Sequence, residues 1–185
     1  LKAPAVDAMM KSKAEVVGLH PLFAPPSSGT WRGETVVVYP ARVNHWQRWV
    51  QDFLRDAGVK VEEFDPIVHD YYMLGEQNLT RIGAIAEAAV LCDLKFDMGI
   101  LLKLATRLSR KQFGVIARVL SQNPELDADL QIENPRTVMM IDALIAALVH
   151  FRAIIENGGK EAFIAEREKI RTKLGKNFIT QARKF

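Results

Sequence analysis

From Ile67 to its last residue, this 185-residue chain contains no stretch that reads as a β-strand, while the part before Asp65-Pro66 is built around strands. Apolar residues two apart share a sheet face and residues three or four apart share a helix face, so the change of period restricts the fold to two kinds of structure in series. Before the change, Val16 to Leu19 is a short apolar run, and Glu34 to Tyr39 (ETVVVY) is rich in β-branched residues after the glycine-containing turn SSGTWRG. Val59 to Phe64 (VKVEEF) alternates, and NHWQRWVQDFLRDAG before it places Trp46, Trp49, Val50, Phe53 and Leu54 at helical spacing. Asn44 is the expected N-cap of that helix and Gly58 its expected stop. The order strand, loop, strand, helix, strand reads as part of an α/β sheet.

The rest reads as helices. One long helix is expected from about Ile67 to Leu91, a segment capped by Asp97, another over Ser109 to Ser121, and a short one opened by Pro124. A further long run starts at Pro135 and ends at Asn157-Gly158-Gly159, and the last extends from Lys160 with a break at Gly175. VMMIDALIAALVHF is apolar around much of its circumference, and a chain this small cannot cover all of it, so a partner subunit is expected on the extra face.

Composition narrows the function. With 25 basic and 22 acidic residues the net charge is +3, which argues against a nucleic-acid groove; the basic residues between Lys160 and Lys184 read as a solvated helix face. Cys92 stands alone, so no disulfide framework forms within the chain, and its apolar context AAVLCDL predicts a buried thiol. No signal peptide and no uninterrupted apolar run long enough for a membrane are apparent, and a cytoplasmic protein is expected. His20, His45, His69 and His150 lack metal-ligand spacing on one helix face, and no metal is expected.

GLHPLFAP at 18–25 closely resembles the GLHPxFGP signature of the prephenate dehydrogenases, the NAD(P)-dependent enzymes of tyrosine biosynthesis. PIVHDYYM at 66–73 resembles the family's EHDxxM segment, IARVLSQNPEL at 116–126 its VGRLxxQNPxL stretch, and GGKEAFIAEREKIRTKLG its closing helix. The resemblance implies an α/β remnant of a Rossmann-type domain over residues 1–64. An all-α helical dimerisation domain of the 6-phosphogluconate dehydrogenase C-terminal type would follow over residues 65–185. It implies oxidative decarboxylation of prephenate to 4-hydroxyphenylpyruvate, or the corresponding reaction of arogenate, in a homodimer.

By the same resemblance, His20 takes the proton of the substrate's 4-hydroxyl while hydride passes from that carbon to nicotinamide. A neutral imidazole suits that work. Pro21, assigned to cofactor binding, and Pro25 would stiffen the following turn and hold the ring. Arg118 matches the arginine that binds the ring carboxylate, a task suited to a bidentate guanidinium; from the residues alone it reads equally as an arginine snorkelling from an apolar helix. Asp70 resembles an acid of that arginine's charge network, or is an N-terminal helix charge, and Gln77 falls where the family places a polar residue in the cleft. His20 and Arg118 are expected to face one cleft.

Three departures from the family pattern stand out. The GxGxxG turn that brings amides against a pyrophosphate is absent, and LKAPAVDAMM resembles the segment just after the family's DxxSxK serine, so the main NAD or NADP site is expected upstream of Leu1 and the chain alone is expected to be inactive. Arg81 stands where the family often has a histidine; it cannot do a histidine's proton work but could bind a carboxylate. Ala24 replaces the glycine of HPxFGP. Two other readings compete: a non-catalytic dimerisation or regulatory module that keeps the fold, and a helical domain of a dehydrogenase for another hydroxy acid.

Overall fold

The computed structural model describes residues 1–23 and 30–184. Ala24 and Pro25 lie outside the described residues. The chain divides into two compact units, Leu1–Thr137 and Val138–Phe185.

The first unit begins with helix α1 (Lys2–Met10), for which the sequence shows no apolar stripe. Its first turn tolerates Pro4, because an N–H there has no helical partner to lose. Strands β1 (Val16–Pro21), β2 (Thr35–Arg42) and β3 (Lys60–Glu63) form one sheet in that order. β1 runs antiparallel to β2, and β2 runs parallel to β3 through helix α2 (Gln47–Asp56). Successive side chains of β2 alternate between faces. Val36 and Val38 pack with Leu54 of α2 to form the core on one side. On the other side, Gly18 of β1 lets α1 approach closely: a Cβ there would meet the Val6 side chain at 3.2 Å. The Arg42 guanidinium donates to the carbonyls of Met10, Ser12 and Ala14, tying the α1–β1 connection to the end of β2.

The start of α2 differs from expectation. Asn44 does not cap it with its side chain; the Glu15 carboxylate accepts the backbone N–H groups of Asn44, His45 and Trp46 at 2.8–3.0 Å. These donors hold Glu15 below the usual carboxylate range, the Asn44 amide contributing most. Gly58 ends the helix as expected, with φ of 70°.

Asp65 opens the helical part. Its carboxylate accepts the N–H groups of Ile67 and Val68, and Pro66 takes the first position of α3 (Pro66–Met73). The long helix expected from Ile67 is present, with a π-helical turn over Leu74–Asn78 inserted between α3 and α4 (Leu79–Asp93). α5 (Met98–Leu104), α6 (Arg107–Leu120) and α7 (Pro124–Ile132) follow, capped by Asp97, Thr106 and Asn123. Cys92 is exposed, which corrects the expectation of a buried thiol: it lies near the end of α4, outside that helix's packed face around Ala84.

The second unit holds most of α8 (Thr137–Ala153), a second π-helical turn (Ile154–Gly158) and α9 (Gly159–Ala182). Gly159 has φ of 69°, and α9 is broken at Gly175, where φ is 81°. Val138, Met139, Ile145, Leu148 and Val149 are all more than half exposed. A window within 137–182 has mean hydropathy of 2.0, long and apolar enough to cross a membrane by length and composition. The expectation of no such stretch is corrected to that extent, since Asp142 interrupts the run without lowering its average enough. A helix that lays an apolar face on another subunit meets the same criterion.

Candidate active site

β1 carries His20 at its end, opposite Val37 of β2. α3 brings His69 and Asp70 to the same place, each 6% exposed. The π-helical turn adds Gln77 and Asn78 to the cavity wall. These groups, with Lys2 of α1, line a cavity of about 600 Å³ that is closed on another side by α7.

The polar groups form a chain. The Asp70 carboxylate accepts the N–H groups of Lys2 and Ala3, at 2.8 Å each, and so caps α1 from a distant part of the sequence. It also accepts from His69 Nδ1 at 2.8 Å. His69 Nε2 lies 2.8 Å from His20 Nδ1, with the rings edge to face. On the far side of that ring, Gln77 Nε2 is 3.5 Å from His20 Nε2. The buried Lys2 ammonium donates to the Val37 carbonyl at 3.2 Å.

Burial sets the protonation of the cluster. Desolvation above all, with the Lys2 ammonium adding to it, pushes His20 down to about 4, so its ring is neutral near pH 7. Burial also lowers His69, against the opposing pull of Asp70, and lowers Lys2. For Asp70, burial pushes upward but is outweighed by the amides of Ala3 and Lys2 and by His69, so the carboxyl sits below its usual range.

The residues anticipated from the sequence part company here. His20, Asp70 and Gln77 meet at the cavity. Asp70 serves α1 and His69 rather than an arginine network. Arg118 does not join them: it is exposed on α6 and does not line the cavity. Val119 is the buried residue of that helix, and its neighbour Arg118 falls on the solvent side. Arg81 is also elsewhere, paired with Asp127 at 2.8 Å and bonded to Gln122, so its charge is already matched. Pro21 is exposed at the end of β1 and does not line the cavity. His69 and Lys2 were not anticipated. The adjacent His-Asp pair was a signal for His69; no pattern marked Lys2, whose burial depends on α1 lying against the sheet.

A dinucleotide requires amides at a helix N-terminus for its phosphates. Among the described residues the one βαβ unit is β2–α2–β3, and just ahead of α2 the Glu15 carboxylate holds the amides of Asn44, His45 and Trp46, which sets a negative charge at the place a phosphate would need. These elements do not fit a bound pyrophosphate.

Comparison with known proteins agrees with this architecture. The chain is 28% identical over 187 residues to a probable arogenate/prephenate dehydrogenase of Methanocaldococcus jannaschii, covering all of this chain and 41% of that protein. It superposes on the Synechocystis arogenate dehydrogenase with a TM-score of 0.66 at 17% identity, covering 94% of this chain and 66% of the other. The Aquifex aeolicus prephenate dehydrogenase in complex with hydroxyphenyl propionate and NAD+ gives 0.62 at 22% identity, covering 85% and 57%. At these identities the structural matches establish the fold: a small sheet at the end of a Rossmann-type domain, followed by helices. The chain thus spans less than half the length of the M. jannaschii relative. The family described as prephenate dehydrogenase, dimerization domain, matches residues 65–168, more than half of the chain, and the protein belongs to the prephenate dehydrogenase family.

Proposed function

We propose that the protein works in the NAD(P)-dependent oxidative decarboxylation of prephenate to 4-hydroxyphenylpyruvate, with arogenate as the alternative substrate, and that His20 is its proton acceptor. The observation that carries this reading is the neutral His20 ring at the end of β1, beside a cavity of about 600 Å³, with Nδ1 engaged by His69. A ring held this way takes the 4-hydroxyl proton on Nε2. The dinucleotide is held outside the elements present here, and the chain by itself is inactive. Arg118 is kept as the proposed ligand of the ring carboxylate on the family resemblance alone, since its exposed guanidinium does not line the cavity beside His20; Arg81 is paired with Asp127. The boundary between the α/β and helical parts lies at 64/65, which the start of the family match and the Asp65 cap both support. The exposed apolar face of α8 supports a homodimer, and the cytoplasm is the compartment proposed for such a biosynthetic enzyme.

The test is formation of reduced nicotinamide with prephenate and with arogenate, measured with the dinucleotide-binding half present on the same chain or a second one. His20→Asn lowers kcat by roughly 100-fold or more if the ring is the general base. Arg118→Ala raises KM by about tenfold or more if a charge-assisted carboxylate contact is lost. An unchanged kcat in the first variant sinks the proton-acceptor role, and an unchanged KM in the second returns Arg118 to the surface. Absence of turnover with either substrate in a folded, cofactor-loaded protein favours the non-catalytic dimerisation module.

A further inference from the structure

We propose that His69 is the positioning residue of this site: it accepts the Nδ1–H of His20 and thereby fixes the tautomer that leaves His20 Nε2 bare toward the cavity. The inference rests on the reading of His20 as proton acceptor and adds a second histidine to it.

The argument runs along the chain of hydrogen bonds. Asp70 is ionised and accepts from two amides, so the hydrogen between it and His69 belongs to His69 Nδ1. A buried, neutral His69 then has a lone pair on Nε2. His20 Nδ1 lies 2.8 Å from that lone pair and must carry the hydrogen, since two lone pairs at this distance repel. The single N–H of the neutral His20 ring is thereby used, and Nε2 is bare. The Gln77 amide nitrogen, a donor, sits 3.5 Å from that atom, a neighbour that suits a lone pair and not an N–H. Asp70 at one end and Gln77 at the other give the same assignment.

The arrangement also gives the abstracted proton somewhere to go. When the substrate hydroxyl breaks its O–H bond, the proton binds His20 Nε2 and the oxygen keeps the electron pair. The Nδ1 proton of His20 can then cross to His69 Nε2, leaving His20 neutral and a His69 imidazolium against the Asp70 carboxylate. One proton leaves the substrate and one positive charge arrives on His69; nothing is oxidised or reduced in this step. Without His69, the charge stays on a ring whose surroundings disfavour it. The charged and titratable groups facing this ring are Lys2 and the Leu1 amino group at the start of α1 and His69 and Asp70 from α3, with Glu15 before β1, Asp129 of α7 and Glu133 just after α7 elsewhere on the cavity wall.

Nitrogen-15 NMR of the histidine rings at pH 7.5 reads the tautomer directly, in the wild type, His69→Phe and His69→Gln. The expected result is Nδ1–H on both His20 and His69 in the wild type. His20 moves to the Nε2–H form in His69→Phe, and Nδ1–H returns in His69→Gln, whose amide oxygen can accept the hydrogen. In the turnover assay His69→Phe lowers kcat by roughly 100-fold with KM changed less than about threefold, and His69→Gln recovers most of the loss. A merely structural His69 would leave the tautomer of His20 untouched and let both variants fail alike. An Nε2–H form of His20 in the wild type, or an unchanged tautomer in His69→Phe, overturns the proposal. Lack of wild-type turnover with prephenate and arogenate overturns the dehydrogenase reading instead, and the spectra then decide the tautomer claim alone.

Discussion

The two units handle polar and apolar groups in opposite ways. In Leu1–Thr137 the groups most withdrawn from water include Lys2, His69, Asp70 and Asn78, each with a hydrogen-bond partner close by. In Val138–Phe185 the apolar side chains are outside: Val138 is 70% exposed and Leu148 62%. A buried polar network is stable only when every member is satisfied, and it then fixes side-chain positions closely. An exposed apolar face has no such completion within its own unit and is stabilised by whatever covers it. The first unit is therefore specified from inside and the second from outside.

The largest effect that would break this contrast lies in the second unit. Glutamates at both Ile145 and Leu148, each more than half exposed, are expected to abolish self-association. Each side chain contributes roughly 1.5–3 kcal/mol when covered, and both subunits lose two, so the dimer weakens by about 1,000-fold or more. Sedimentation equilibrium measures this; a wild type that is monomeric, or a variant that associates as before, removes the basis for an externally completed unit. Next comes Asp70→Ala, which uncaps α1 and orphans His69 together, at a cost of about 3 kcal/mol in urea unfolding. A loss near that of an ordinary cap would mean the network is less closely coupled than its geometry.

A third effect is pH-dependent. The folded-state value of His20, about 4, lies below the usual histidine value of 6.5, so the unfolded chain binds more protons between them and stability falls as pH drops through that window. The expected loss is about 2 kcal/mol between pH 7 and pH 4, with His69 pulling the same way, and His20→Asn flattens most of it. Asp70 acts in more acid solution, its stabilisation being lost as pH falls through its own depressed value. Urea midpoints at pH 7 and 5 decide the matter: equal midpoints in the wild type contradict a half-buried, neutral His20. The smallest effect is Asp65→Ala, about 1 kcal/mol, since that carboxylate caps α3 at the surface and joins no network.

Much of the fold was legible in the chain. The strands at 16–21, 35–42 and 60–63, the helical remainder, the cap at Asp97, the helix start at Pro124 and the breaks at Gly159 and Gly175 all follow from local rules of period and backbone conformation. What escaped was set by contacts distant in sequence. α1 carries no amphipathic stripe and forms where Asp70 receives its first amides. α2 is capped by Glu15, about thirty residues away, so Asn44 had no part to play. The π-helical turn that carries Gln77 leaves no mark on hydrophobic spacing.

The candidate site divides along the same line. The amino-acid sequence by itself determined that a histidine ends β1 and that a His-Asp pair opens the helical part, because motif and residue type are local properties. Tertiary structure alone decided that these two places meet, that Lys2 is buried beside them, and that Arg81 and Arg118 are not there. A side chain's usefulness depends on which groups share its cavity and which have already claimed its charge. Asp127 claims Arg81, solvent takes Arg118, and His69 holds His20 in place.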